Sequence, residues 1–483
     1  MITDKSAPWG YRWRSSQSFI ITTATISLFS ETFLFGFVVP ILPYMLETRL
    51  HVDPALTQSL TTTLLTTYGV VSLVAAPFVA HFADKTPNRK IPLLLSLTAC
   101  ASGTVLVACA PTVWLLMVGE ILQSLASCSV WIVAQATLVD NLSENNKGKV
   151  LGTAMSFITT GIFAGPMVSG VLLQLLGYWP AWSAALLLLG VDILARLLMI
   201  ERKPLATNPT EATDERAALL PQGDESSPNE NHAGQDTTVN QENPAGPVSH
   251  HGFYRIMLCN PRVLAGLFNT LYLSMVLAAF DTTLPLHVRA IFGWDSLPVG
   301  LLFFALQVPS IVSGPAIGHL RDRTGLRWPT TIGCALMVPL LWLLGVPGTE
   351  LPWGRLEGSA GEAVYITAIV GLGIALAFTR GAGSIQMLTV LHELEKKNPT
   401  MFGPYGGNSR LAGLTELPFN VGLIAGPLLS GSISEVLGYY WTNNLFAAIA
   451  LLVTVTSYIY FTVPPKSESE SESESESAGE EAA

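Results

Sequence analysis

The chain has 483 residues, of which 49% are hydrophobic and only 12% charged, with a formal net charge of -10. Soluble domains carry about 25% charged residues, so this composition excludes an ordinary soluble enzyme and points to a polytopic membrane protein. Much of the acidic excess sits in the segment 201–250 and in the tail SESESESES from Ser467, both polar, low in complexity and expected to be disordered. Nothing in it implies a nucleic-acid partner.

The N-terminus, residues 1–18, is polar and basic, with no short apolar region and cleavage site, so the first span itself is expected to direct insertion. Twelve apolar segments follow, near 19–46, 56–82, 91–109, 113–138, 149–175, 179–200, 263–288, 296–318, 329–346, 361–391, 410–436 and 440–461. Each is long enough to cross a bilayer as a helix, which takes about 20 apolar residues. The reading is all-α: a six-helix bundle over 19–200, a cytosolic linker over 201–262, a second bundle over 263–461 and an acidic tail over 462–483. Lys85, Arg89 and Lys90 follow the second segment, Lys147 and Lys149 the fourth, Arg202 and Lys203 the sixth, Arg321, Arg323 and Arg327 the eighth, and Lys396 and Lys397 the tenth. The opposite side holds only Arg49, Arg289 and Arg355. The positive-inside rule then puts both termini and the linker in the cytosol. The sequon at Asn141 falls on that side, so no glycan is expected there. The five cysteines lie in or beside apolar runs and suggest neither a disulfide framework nor a metal site.

The fifth segment reads GTAMSFITTGIFAGPMVSG from Gly152, and the eleventh reads GLTELPFNVGLIAGPLLSG from Gly413. Gly161, Gly165 and Pro166 thus match Gly422, Gly426 and Pro427 at identical offsets. Small residues at such spacing let helices approach closely. Each half also carries a charged turn after its second segment, HFADKTPNRK from His81 and GHLRDRTGLR from Gly318. A duplication follows, and a duplicated membrane bundle of this kind places a substrate site near the midplane between its halves.

These motifs resemble the major facilitator superfamily across the membrane part of the chain. The turn GHLRDRTGLR is similar to the family's signature between the second and third spans. The resemblance implies that Asp84, Arg89, Asp322 and Arg323 help latch helix ends. The glycine-proline motif is similar to the signature of proton-coupled antiporters in the superfamily. It implies two pseudo-symmetric six-helix bundles that alternate in access, with spans 1, 4, 7 and 10 lining the central cavity.

Five charged residues lie deep in apolar segments: Glu31, Glu120, Asp281, Arg380 and Glu416. Such residues are costly in a bilayer and are by default functional. Three of them strengthen a resemblance to vesicular amine transporters and, more broadly, to drug:proton antiporters. Glu31 stands nine residues before the first proline of Pro40-x-x-Pro43, Asp281 opens DTTLP, and Glu416 precedes Pro427 by eleven. The amine transporters carry a lysine where this chain has Tyr68 and an acid where it has Gly381, beside Arg380. Many drug antiporters carry an arginine in the fourth span, in R-x-x-Q, where this chain has Glu120 before Gln123. The charge network is therefore rearranged, and the substrate is not specified.

A carboxyl group loses its hydration in a bilayer, so its neutral form costs far less there than the anion. Proton and cationic substrate then compete for one site, and their fluxes couple in opposite directions. On this reading Glu31, Asp281 and Arg380 face substrate, while Glu416, Glu120 and Glu31 couple protons. The partners are a small organic compound, protons and the bilayer, with no cofactor and a monomeric chain. The membrane is a plasma, vacuolar or vesicle membrane. Glu120 and Arg380 equally suit a static buried pair. Asp192 and Arg196, four residues apart, suit a structural pair on one helix face. Trp131, Phe157, Tyr272, Phe280, Tyr365 and Phe378 offer aromatic faces, with packing the commoner use of each. A facilitator or symporter of a neutral solute uses the same fold, and a non-transporting sensor is a further alternative. No nucleophile elbow, metal cluster or phosphate loop suggests an enzyme.

Overall fold

A computed structural model describes residues 10–85, 89–141, 147–200, 250–351, 354–356, 358–398, 401–402 and 408–462. The expectations for residues 201–249 of the linker, for the acidic tail beyond Thr462 and for most of the Asn141 sequon fall outside these residues, while the last part of the expected linker forms a short helix, His250–Leu258, directly before the seventh span. Twelve helices among them are long and apolar enough to cross a membrane. They are α1 (Gln17–Phe37), α2 (Pro54–Lys85), α3 (Lys90–Cys109), α4 (Val113–Asp140), α5 (Lys147–Leu176) and α6 (Tyr178–Leu198). The second set is α7 (Pro261–Phe292), α8 (Ser296–Thr324), α9 (Arg327–Gly345), α10 (Gly358–Thr379, continued as Ala382–Lys397), α11 (Asn408–Val436) and α12 (Tyr439–Tyr460). A two-residue antiparallel pairing, Glu350–Leu351 with Gly354–Arg355, decorates the α9–α10 connection. Because the helices alternate in direction, one end of the bundle carries the start of α1 and the close of α12. This is the terminal end, and the opposite one is the far end.

Two runs differ from the sequence expectation. The apolar stretch 19–46 is not one helix. α1 starts on the Ser16 hydroxyl, which accepts from Phe19 N at 3.2 Å, and stops at Phe37. Pro40 has no N–H to donate, and its ring would collide with the carbonyl of Gly36 in a continuing helix. The chain turns, then winds as a short helix Leu42–Tyr44 and a π-turn Met45–Arg49. The stretch 361–391 breaks after Thr379, where Gly381 adopts φ 72°. That left-handed conformation is cheap only without a Cβ. Arg380 sits at this break.

The two halves repeat one packing scheme. α1 lies on α5 as α7 lies on α11, and α3 contacts α4 and α6 as α9 contacts α10 and α12. The glycines of the repeated motif explain the first pair. A Cβ on Gly161 would strike Thr32 and Phe29 of α1, and one on Gly165 the Phe33 carbonyl. On the other side of the same contact, a Cβ on Gly36 would lie 2.7 Å from the Pro166 ring. In the second half a Cβ on Gly422 would strike Ser274 and Leu271, and one on Gly426 would lie 2.8 Å from Ala278 Cβ. The hydrophobic cores follow suit. Phe37, Leu42, Cys100, Trp182 and Leu189 pack one half, and Tyr272, Phe280, Met337, Tyr365 and Phe446 the other.

Asp192 and Arg196 are both fully buried on α6. The Ser27 hydroxyl of α1 donates to Asp192 Oδ1 at 2.7 Å, and Arg196 Nη2 reaches the same hydroxyl at 3.4 Å. The pair thus fastens α6 to α1. Removing one partner of a buried pair leaves an uncompensated charge and costs about 3–5 kcal/mol. Arg196→Met should therefore lower the unfolding midpoint sharply in detergent, whereas the double change with Asp192→Leu should recover most of the loss. Equal midpoints for the single and double variants would contradict the role.

Candidate functional site between the two halves

The halves meet along two seams, α2 with α11 and α5 with α8. The last glycine of each repeat makes these seams. A Cβ on Gly170 would strike the Ser296 carbonyl of α8, and one on Gly431 the Thr62 hydroxyl of α2. One on Gly300 would come within 2.7 Å of the Pro166 carbonyl. Among the described residues, three polar links cross between the halves here. Gln58 Nε2 donates to Thr282 O at 3.4 Å, Leu297 N donates to Gln174 Oε1 at 2.8 Å, and Arg289 Nη1 pairs with Glu47 Oε2 at 2.7 Å. All three lie at the far end. Gln174 and Arg289 of these links also line a cavity of about 290 Å³, together with Pro40, Tyr44, Trp294 and Asp295, among others. Toward the terminal end the seams part. At Gly314 and Gly318 of α8 and Gly413 of α11, an added Cβ would meet nothing within 4 Å. Among the described residues, the conformation is closed at the far end and open at the terminal end.

The Glu47–Arg289 pair is a link across the far end that local spacing does not reveal. Glu47 is carried there by the turn that Pro40 and Pro43 impose. The pair is solvent-accessible, with side chains 17% and 40% exposed. An accessible pair is worth about 0.2–1 kcal/mol. Glu47→Gln should therefore raise far-end opening by only about 1.4- to 5-fold, read as labelling of a cysteine placed in the far-end cavity. No change, or full opening, would contradict that modest contribution.

The deep charges fall into separate groups. Glu31 is 5% exposed, and its Oε1 accepts from Tyr68 OH of α2 at 3.1 Å. Ser127 of α4 lies beside the same carboxylate. Tyr68 thus stands next to the acid of α1. Glu120 is 7% exposed on α4, within electrostatic reach of Tyr68, and its carboxylate has no hydrogen-bond or ion-pair partner among the described residues. Glu416 is exposed on α11, on the open side, and lies within electrostatic reach of Cys128 in α4 of the other half. Asn420 Nδ2 donates to its backbone carbonyl, not to its carboxylate. Asp281, half-buried on α7, likewise has no described partner. Glu31, Tyr68, Ser127 and Glu120 therefore gather in one half, Glu416 approaches them across the opening, and Asp281 stands apart.

Arg380 does not pair with Glu120. Its Nη2 donates instead to Gln307 Oε1 of α8 at 2.9 Å. The expected latch differs too. Asp322 and Arg323 are exposed and make no described contact, in keeping with a parted terminal end. The engaged member of that turn is its neighbour Arg321. Its guanidinium donates to the carbonyls of Ala377 (3.3 Å), Phe378 (2.7 Å) and Arg380 (3.1 Å), capping the first part of α10 at its break. In the first half Arg89 precedes α3, while the side chain of Asp84 lies outside the described residues. Of the aromatics, Tyr272, Phe280 and Tyr365 are core: Tyr272 OH donates to Phe446 O at 3.1 Å, and Tyr365 OH meets Tyr439 OH at 3.0 Å. Phe157 is 46% exposed and stacks on Phe29, at 4.7 Å between centroids, beside α1.

The Major Facilitator Superfamily model matches residues 24–403. An uncharacterized MFS-type transporter of Schizosaccharomyces pombe is 32% identical over 87% of this chain and 91% of its own length. The class E tetracycline resistance protein of Escherichia coli is 23% identical, covering 73% of this chain and 85% of its own. Among solved structures, the nucleoside transporter NupG superposes with a TM-score of 0.60 over 91% of this chain and 98% of that one, at 14% identity. That likeness concerns the fold alone.

Proposed function

The chain belongs to the Major Facilitator Superfamily and is a multi-pass membrane transporter of small molecules; from that premise we propose that it exchanges protons for a small organic, cationic or amphipathic compound by alternating access. The observation that carries the reading is the set of acids in membrane-crossing helices of both halves. Glu31, Asp281 and Glu416 have no permanent cationic partner among the described residues. An acid held this way must give up either its charge or its solitude. A proton supplies the first and a cationic substrate the second, so each displaces the other. Glu31 and Asp281 act as substrate-facing acids, and Glu416, Glu120 and Glu31 itself as proton carriers.

The Lys/Arg bias of the loops puts the terminal end in the cytosol. The conformation is then open to the cytosol, ready to load cargo for export or for storage in a vacuole or vesicle. Likeness to a tetracycline resistance protein supports a drug-like or secondary-metabolite cargo. The test is direct. The full chain in proteoliposomes with a pH gradient should release protons when cationic dyes such as rhodamine 123 are added. Transport indifferent to the gradient identifies a facilitator instead, and no flux with any of a broad compound panel argues against a transporter of this class.

A further inference from the structure

Arg380 is the charged residue that the proton exchange leaves without a task. We propose that Arg380 and Gln307 form a subsite for a carboxylate or similar anionic oxygen of the substrate. The cargo then carries an anionic group as well as the basic group that the acids receive. This rests on reading the opening between the halves as the substrate path, and not on proton coupling.

The subsite is built at three points. The break in α10 places Arg380 immediately before Gly381, whose left-handed backbone ends the first part of the helix. Arg321 then fixes the local backbone through its bonds to three carbonyls, that of Arg380 among them. The side chain of Arg380 is left to lean toward α8, where Nη2 meets Gln307 Oε1. Gln307 is 4% exposed and follows Gly300 by seven residues, two helical turns on the same face of α8. Gly300 is where α8 touches α5 of the other half, and at Gly314 an added Cβ would meet nothing, so Gln307, seven residues from each on the same helix face, lies between the closed and the open part of that seam.

The guanidinium has five N–H donors, and only Nη2 has a described acceptor. None of its other nitrogens is sealed from solvent without a partner. No ion pair of Arg380 with a described carboxylate is present; its described side-chain partner is Gln307. An uncompensated guanidinium in a membrane-crossing helix is expensive. Its planar fork matches the two oxygens of a carboxylate better than it matches any cation or apolar ring. Gln307 contributes twice: its carbonyl orients the fork, and its amide remains a donor beside it.

The experiment needs no proton gradient. Thermal unfolding of the purified full chain in detergent is followed with sodium benzoate and with benzamide, at ionic strength matched by sodium chloride. Hydrogen bonds to a charged acceptor predict that benzoate binds at least roughly tenfold more tightly than benzamide. Arg380→Gln should abolish that preference. Arg380→Lys should keep part of it, because the charge remains and the fork is lost. Arg289→Gln, at the far-end cavity, should leave it intact. Three results would overturn the proposal: no saturable stabilisation of the wild-type chain by benzoate, equal binding of benzamide, or a preference that follows Arg289 and not Arg380. The wild-type comparison decides even if Arg380→Gln does not fold. Proton-driven flux can fail while this binding persists, and the converse also holds, so the two readings stand or fall separately.

Discussion

Glu31→Gln is expected to abolish accumulation driven by a pH gradient while leaving the protein folded. The amide keeps the shape of the carboxyl group, and its oxygen still accepts from Tyr68 OH, which now approaches Glu31 at 3.1 Å. It cannot take or release a proton. A charge in the membrane centre costs at least ~2.5 kcal/mol, so the carboxyl group's change of state biases the two conformations by about 70-fold or more. Losing that bias should lower gradient-driven uptake into proteoliposomes by a similar factor. Asp281→Asn and Glu416→Gln should each cut it as well, because neither acid has a described partner to replace the proton. Exchange of labelled for unlabelled substrate, with no gradient, should survive best in Glu416→Gln, whose acid is assigned to the proton and not to the cargo. If the triple variant still accumulates cargo against its gradient, coupling lies elsewhere.

Gly170→Leu should trap the transporter with its far end open. The glycine sits where α5 of one half meets the Ser296 carbonyl of α8 in the other. A side chain there has no room, and relief comes from separating the halves, which leaves each bundle intact. Overpacking costs typically 1–3 kcal/mol, which shifts a two-state ratio by roughly 5- to 150-fold. Gly165→Leu should behave otherwise, because its crowding partner is the Phe33 carbonyl of α1 in the same bundle. No rocking of the halves relieves that contact, so the cost falls on folding and the unfolding midpoint should drop. The pair is separated by labelling Leu417→Cys, exposed on α11 at the terminal end, in a background without other cysteines. Slower labelling with an unchanged midpoint is expected for Gly170→Leu, and a lower midpoint for Gly165→Leu. Identical behaviour of the two would mean that the last glycine of the motif has no role in the seam.

Much of this architecture was legible in the order of residues. The number of spans follows from apolar run length, because a bilayer of fixed thickness imposes a minimum on every crossing helix. The duplication follows from glycines and a proline at matching offsets, and the list of deep acids follows from charge inside apolar runs. Both departures in helix continuity also have local causes, Pro40 and Gly381, whose backbone preferences act within a few residues.

Tertiary structure alone decided which of these groups meet. Gln307 and Arg380 are 73 residues apart and Arg321 and Arg380 are 59 apart, and no spacing rule relates them. Arg321 counted only as one more positive loop charge until its guanidinium was found on the α10 carbonyls. The Glu47–Arg289 link joins the turn after α1 to the end of α7, two elements from different halves. The repeated glycines looked equivalent within each motif, yet Gly161 and Gly165 close a contact inside one bundle and Gly170 closes one between bundles. Composition and periodicity record what each helix must bury from lipid or water. Which faces oppose one another depends on how twelve such helices share a limited volume, and that is settled only when all of them are packed together.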